Sequence, residues 1–143
     1  MTIRPATHAD SARIADLTTQ LGYPTQAPEA EERLRDLASR PDDAVLVAEE
    51  EGEVVGWIHV AALHSLEMEP CAMIQGLVVD ASRRGRGTGA ALVEAAAEWA
   101  AGHGFRTLRV RSNAVRERTH AFYERLGFAR TKSQVVFARP VGD

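Results

Sequence analysis

The sequence predicts an α/β (α+β) fold, a three-layer mixed sheet with helices on both faces. Two observations carry this. The apolar runs Ala44–Ala48, Val54–Leu63 and Ala72–Val79 follow one another across short polar breaks, which reads as an antiparallel meander. After them helix and strand patterns alternate, as in crossover units that lay a helix on a sheet face. The order is strand, two helices, three strands, helix, strand, helix, strand, or about six strands and about four helices.

Ile3-Arg4-Pro5-Ala6 opens the chain as a strand, and Thr7-His8-Ala9-Asp10 has the form of a helix start. Ile14, Leu17 and Leu21 follow at helical spacing until Gly22 closes the helix, with Tyr23–Gln26 as a loop. Pro28 suits a first helical turn, and Ala30, Leu34, Leu37 and Ala38 form a second stripe ending before Pro41. Glu50–Glu53 is a turn between strands, and His64–Pro70 is a connecting loop. The helix from about Thr88 to Ala101 carries Leu92, Ala96 and Trp99 on one face, and Gly102 and Gly104 end it. Phe105–Arg111 reads as a strand whose alternation slips once. Val115, Thr119, Phe122 and Leu126 define the core stripe of a last helix, capped by Gly127. Val135–Ala138 is expected to be the final strand.

Composition narrows the function classes. At 143 residues the chain is expected to be one domain spanning 1–143, large enough for its own core. A net charge of −3 gives no global field for nucleic acid or an anionic membrane, so neither is expected as a partner. No apolar run is long enough to span a bilayer, and the first residues lack the apolar stretch of a secretory leader. The single cysteine, Cys71, fits a reducing compartment, so a cytoplasmic location is expected. The histidines are scattered without metal-ligand spacing, so no metal is expected. Cys71, Trp57 and Trp99 read as packing residues.

The most informative stretch runs from Leu77-Val78-Val79-Asp80 through Arg83-Arg84-Gly85-Arg86-Gly87-Thr88-Gly89 into Ala90-Ala91-Leu92. The glycines at 85, 87 and 89 allow turn conformations and close backbone approach to a ligand. The helix that opens here starts with amides lacking intrahelical acceptors, and its dipole puts partial positive charge at that end. Arg83, Arg84 and Arg86 add formal charge. Together these make a site for a polyanion, most simply a pyrophosphate. A nucleotide-triphosphate loop is excluded because no Gly-Lys-Ser/Thr occurs, and the glycine spacing does not fit a dinucleotide fingerprint. Arg84 to Gly89 does match the Arg/Gln-x-x-Gly-x-Gly/Ala loop of acyl-CoA transferases.

The segment Leu77–Leu92 therefore resembles the acetyl-CoA signature of the GNAT N-acetyltransferase superfamily. Ala121-Phe122-Tyr123-Glu124-Arg125-Leu126-Gly127-Phe128 is similar to that superfamily's second signature, and Ile3-Arg4-Pro5-Ala6 resembles its opening strand. The resemblance implies a central sheet of about six or seven strands and about four helices, with strands splayed where coenzyme A binds. It implies that backbone amides of Gly85, Arg86, Gly87, Thr88, Gly89 and Ala90, with Arg84 and Arg86 nearby, hold the pyrophosphate of acetyl-CoA. It further implies that the pantetheine arm adds to the edge of Leu77, Val78 and Val79 as an extra strand would. Gly76 is placed to relax a bulge there.

The resemblance assigns Tyr123 as the acid that protonates the departing thiolate, since it stands about 100° round the helix from Phe122. The implied reaction is direct acetyl transfer in a ternary complex to a primary amine, with a small molecule as the expected acceptor and a homodimer as the expected assembly. A protein or peptide amine is the alternative acceptor, and a non-catalytic acyl-CoA sensor is the alternative function. The base is left open. Gln75 cannot serve, His64, Glu67 and Glu69 lie in a loop near the donor strand, and a water relay is expected. Position 116 is Arg where the second signature commonly has Asn, so Asn113, Arg116 and His120 have open roles toward coenzyme A or the acceptor.

Overall fold

A strand and two helices precede the meander in the computed structural model, which describes residues 1–112 and 117–142. The elements of the larger unit, Met1–Arg111, are β1 (Thr2–Pro5), α1 (Ser11–Leu21), α2 (Ala27–Ala38), β2 (Asp43–Glu50), β3 (Glu53–Leu63), β4 (Cys71–Val79), α3 (Thr88–Gly102) and β5 (Leu108–Val110). They build one sheet in the order β1-β2-β3-β4-β5. The first four strands are antiparallel neighbours, and β5 returns through α3 to lie parallel to β4.

The helix starts follow local chemistry. The Thr7 amide donates to Asp10 Oδ2 at 2.8 Å, and a 3-10 turn at His8–Asp10 leads into α1. Asp10 has a second partner that the sequence pattern did not reveal. Arg4 donates to both of its carboxylate oxygens at 2.9 Å, tying β1 to the start of α1. That guanidinium is the largest influence holding the Asp10 carboxyl below its usual range, against the opposing effect of burial. Gly22 ends α1 with φ of 117°, as expected of a left-handed cap.

The sheet separates two cores. On one face Ile14, Ala15 and Leu17 of α1 and Ala30 and Leu34 of α2 pack with Val47, Val54 and Val78, and Trp57 borders them. On the other face α3 lies close to β3. A side chain at Gly56 would meet Leu92 Cδ1 at 3.1 Å and the Val78 carbonyl at 2.9 Å, so the absence of a Cβ there lets the helix seat. Helices therefore cover both faces, as the element order predicted.

β4 carries a bulge. His59 pairs with Gly76 but Val60 pairs with Ile74, leaving Gln75 as the extra residue. The indole of Trp57 lies against Gly76, where a Cβ would stand 2.8 Å from its ring. The pairing with β5 stops at the same place. Only Ala72, Met73 and Ile74 have partners on β5, so β4 from Gln75 to Val79 has a free edge among the described residues. The family resemblance implied splayed strands here, and what the described residues show is the end of pairing after Ile74.

Two expected strands differ from the structure. Phe105–Arg111 shrinks to Leu108–Val110, because Phe105 instead closes α3. Its amide donates to the Ala100 carbonyl at 3.0 Å, and its ring stacks on Trp99 at 6.3 Å. The alternation slips where the helix cap ends. The smaller unit, Ser112–Asp143, contains α4 (Glu117–Arg125) and, over residues 128–142, neither helix nor strand. Val135–Ala138 is thus not a strand, and Val135, Val136 and Phe137 are exposed. A short apolar run fits a strand locally, but its backbone becomes one only with a partner ladder. The sheet has five strands among the described residues, not six or seven.

Candidate functional site

The end of β4 and the start of α3 form a turn that is anchored at its base and open at its tip. At the base, the Asp80 amide donates to the Val55 carbonyl at 2.8 Å, and Arg13 of α1 donates to Asp80 Oδ2 at 2.8 Å. Asp80 Oδ1 accepts from the Ser82 amide and hydroxyl, and the Ala81 amide donates to Gln20 Oε1 at 3.0 Å. The Ser82 amide and then the Arg13 guanidinium draw the Asp80 carboxyl down to a pKa of about 2. Arg83 belongs to this base. It pairs with Glu50 at 3.1 Å and with Glu53 at 3.8 Å, so its charge is directed to β2 and β3 and is not added to the loop.

The tip is different. Arg84, Gly85, Arg86 and Gly87 are exposed, and Gly85 and Gly87 have φ of 81° and 83°. Side chains with a Cβ rarely adopt that backbone. The third glycine departs from expectation: Gly89 is helical, inside the first turn of α3. The first bond of the α3 ladder runs from the Ala91 amide to the Gly87 carbonyl at 3.0 Å, and no amide from Gly85 to Ala90 donates to the described chain. Thr88 is 2% exposed, and its hydroxyl is buried with no partner among the described residues. A run of orphan amides at a helix N-terminus, flanked by two exposed guanidinium groups, is suited to a polyphosphate.

The remaining edge of the site is backbone. Leu77 and Val79 are half-buried and Val78 is buried, and among the described residues their polar groups on the β5 side have no strand to pair with. Such an edge can accept an extended amide-bearing ligand. Gln75, His64, Glu67 and Glu69 are exposed.

Within the smaller unit, Tyr123 is the most buried of the described residues of α4, at 8% exposure, while Thr119, Phe122 and Leu126 are half-buried. The expected stripe is therefore centred one position too early; the helix buries Tyr123 with Thr119 and Leu126 beside it. Gly127 reverses the chain at φ of 91°, and the Phe128 amide then donates to the Tyr123 carbonyl at 3.1 Å. Phe122 and Phe128 meet the Tyr123 ring edge-on at 5.1 Å and 5.5 Å. Burial pushes the phenol up to about 12, so it keeps its proton at neutral pH. Arg130 donates to His120 Nδ1 at 3.2 Å. Val115, Asn113 and Arg116 lie outside the described residues.

A sequence profile of the acetyltransferase (GNAT) family matches residues 12–128, a span that includes β4, the open turn and α4. The chain belongs to that family. As an N-acetyltransferase it has relatives along most of its length. It is 29% identical over 133 residues to the uncharacterized N-acetyltransferase YhfO of Bacillus subtilis (strain 168), covering 90% of this chain and 89% of that one. It is 35% identical over 112 residues to the uncharacterized N-acetyltransferase YjgM of Escherichia coli (strain K12), covering 78% of this chain and 66% of the other. Among solved structures its fold is similar to that of the aminoglycoside N-acetyltransferase AAC(6')-Iy in complex with CoA. The two share a TM-score of 0.85 at 18% identity, over 98% of this chain and 100% of that one. No helix among the described residues is long and apolar enough to cross a membrane.

Sequence reasoning found the turn but missed its anchors. Arg13, Gln20 and Glu50 lie 67, 61 and 33 residues from their partners Asp80, Ala81 and Arg83. No local signal links such distant positions.

Proposed function

We propose that this enzyme transfers the acetyl group of acetyl-CoA to the primary amine of a small molecule, directly and within a ternary complex. The observation that carries the reading is the run of unpaired amides from Gly85 to Ala90, continuous in sequence with the free edge of β4. The amides of Gly85, Arg86, Gly87, Thr88, Gly89 and Ala90 would hold the pyrophosphate, with Arg84 and Arg86 adding charge. Leu77, Val78 and Val79 would hydrogen-bond the pantetheine arm. When bound, acetyl-CoA supplies an acetyl group activated as a thioester.

Tyr123 is read as the proton donor to the departing thiolate. The phenol is protonated at neutral pH and holds one proton to give, but burial makes it a weaker acid than an exposed tyrosine, so the proton moves only as negative charge builds on sulfur. The small-molecule acceptor is supported by the fold likeness to an aminoglycoside N-acetyltransferase. The reading also takes residues 1–143 as one N-acetyltransferase domain, cytoplasmic and homodimeric, with light scattering at micromolar concentration as the check on assembly. A buried free cysteine supports the reducing compartment.

A thiol-release assay over a panel of primary amines tests the reading. Wild type should release coenzyme A only when an accepted amine is present. Tyr123→Phe removes only the hydroxyl, so kcat should fall by about 10²–10⁴-fold while acetyl-CoA affinity is unmoved. Full kcat in that variant would make Tyr123 a packing residue and leave solvent as the proton source.

A further inference from the structure

One polar pair on the sheet lies outside the turn and the free edge of β4. His59 Nε2 stands 2.7 Å from Asp43 Oδ2. Val45 lies opposite His59 and Asp43 opposite Ala61, so the two residues are diagonal neighbours on adjacent strands, within reach of each other's side chains. Their side chains keep 20% and 15% exposure, so the pair is held in place yet open to solvent. Its other neighbour is decisive. On β4, His59 pairs with Gly76, immediately after the bulged Gln75 and beside the point where β4 loses β5.

The pair has the form of a base and its orienting group. A carboxylate only accepts hydrogen bonds, so in the neutral imidazole the hydrogen belongs on Nε2 and the lone pair on Nδ1. Nδ1 has no partner among the described residues. A ligand arm laid along the free edge from Val79 runs about 13 Å before it reaches Gln75, at about 3.3 Å per residue. The bulge is where that edge ends, and His59 stands one strand away from it. The exposed Gln75 has no basic atom to offer at the same place.

We propose that His59, oriented by Asp43, takes the proton from the acceptor amine. The inference rests on the acetyl-transfer reading above. The alkylammonium form of the acceptor gives one proton to His59 Nδ1. The neutral nitrogen attacks the thioester carbonyl carbon, an N–C bond forms, and the C–S bond breaks with its electron pair on sulfur. The second proton lost by the nitrogen is matched by one delivered to the thiolate, and the imidazolium returns its proton to water. The products are an N-acetyl amide, coenzyme A thiol and one released proton.

The test pairs His59→Gln with two classes of amine, an alkyl amine that is protonated at the assay pH and an aromatic amine that is already neutral. The inference predicts a fall in kcat of about 10²–10⁴-fold for the alkyl amine, a much smaller fall for the aromatic one, and unchanged acetyl-CoA affinity by calorimetry. Asp43→Asn gives an independent reading at equal side-chain volume. Ring-nitrogen NMR of the free wild-type protein should show the hydrogen on Nε2. In Asp43→Asn the side-chain amide can donate or accept, so the hydrogen should no longer be held on Nε2 alone and both tautomers should appear. Wild-type kcat on alkyl amines in His59→Gln would overturn the inference. So would equal losses for both amine classes together with weakened acetyl-CoA binding, which would mark a purely structural pair. If wild type releases thiol with no amine at all, the acetyl-transfer reading fails and this inference goes with it.

Discussion

The two halves of β4 have different jobs. From Cys71 to Ile74 every residue is buried, at no more than 5% exposure, and Ala72, Met73 and Ile74 pair on both sides. From Gln75 to Val79 the strand keeps β3 on one side and has nothing on the other among the described residues, and Gln75 is exposed. One extra residue separates the halves. The bulge ends one regime and begins the other, so a single strand both completes the core and presents a row of unsatisfied backbone groups. Burial and strand pairing on both sides hold the first half, whereas the second half has Val78 in the core and β3 on one side, with the anchored turn at its end.

The contrast can be broken at its strong end. Ile74→Ala removes a 2% exposed side chain from the closed half and should destabilise the protein by about 2–5 kcal/mol in urea unfolding. Leu77→Ala, on a half-buried position in the open half, should lose clearly less. Equal losses would mean that the two halves do not differ in packing.

At the turn the effect should move from stability to ligand. Gly87 has φ of 83° and open space around the position of a Cβ, so Gly87→Val strains the backbone without a clash. A loss of about 1–3 kcal/mol in stability is expected from holding that conformation. Acetyl-CoA affinity should fall by at least about tenfold in the folded variant, because relaxing the turn misaligns the amides. Unchanged affinity would remove the pyrophosphate assignment.

The smallest effect concerns the anchor. The pKa of Asp80 is lowered in the folded protein to about 2 from an ordinary 3.8, first by the Ser82 amide and then by Arg13. A depressed carboxyl contributes stability that is fully present above 3.8 and is lost as pH falls through about 2. The stability difference between wild type and Asp80→Asn should therefore be largest at about pH 5 and shrink toward about pH 2. A difference that stays constant across that window would mean that the charge on Asp80 does not anchor the turn.

Much of this was legible in the sequence, for identifiable reasons. Gly22 and Gly127 both ended helices at left-handed φ, because cap chemistry is local. The bulge was foreshadowed by Gly76, where the Trp57 ring leaves no room for a Cβ. What depends on register was not legible. The Asp43–His59 pair needs two strands aligned across the β2–β3 hairpin, itself offset by an irregularity between Ala48 and Glu49. Arg83 looked like part of the anion site because charge can be read from sequence, whereas its partners Glu50 and Glu53 cannot. Val135–Ala138 had strand composition, yet a strand is defined by its neighbour. In α4 the Tyr123 ring is met edge-on by Phe128, which folds back after Gly127 and which a helical stripe ending at Leu126 does not include.

Hydrogen exchange with and without coenzyme A reads both halves of β4 and the turn in one experiment. In the free protein the amides from Gly85 to Ala90 should exchange rapidly, since none has an acceptor among the described residues, while those of Ala72 to Ile74 should be slow. Saturating coenzyme A should slow exchange from Gly85 to Ala90 and along Leu77 to Val79, and leave Ala72 to Ile74 unchanged. Protection that appears elsewhere, with Gly85 to Ala90 still exchanging freely, would mean that coenzyme A is not held at this turn.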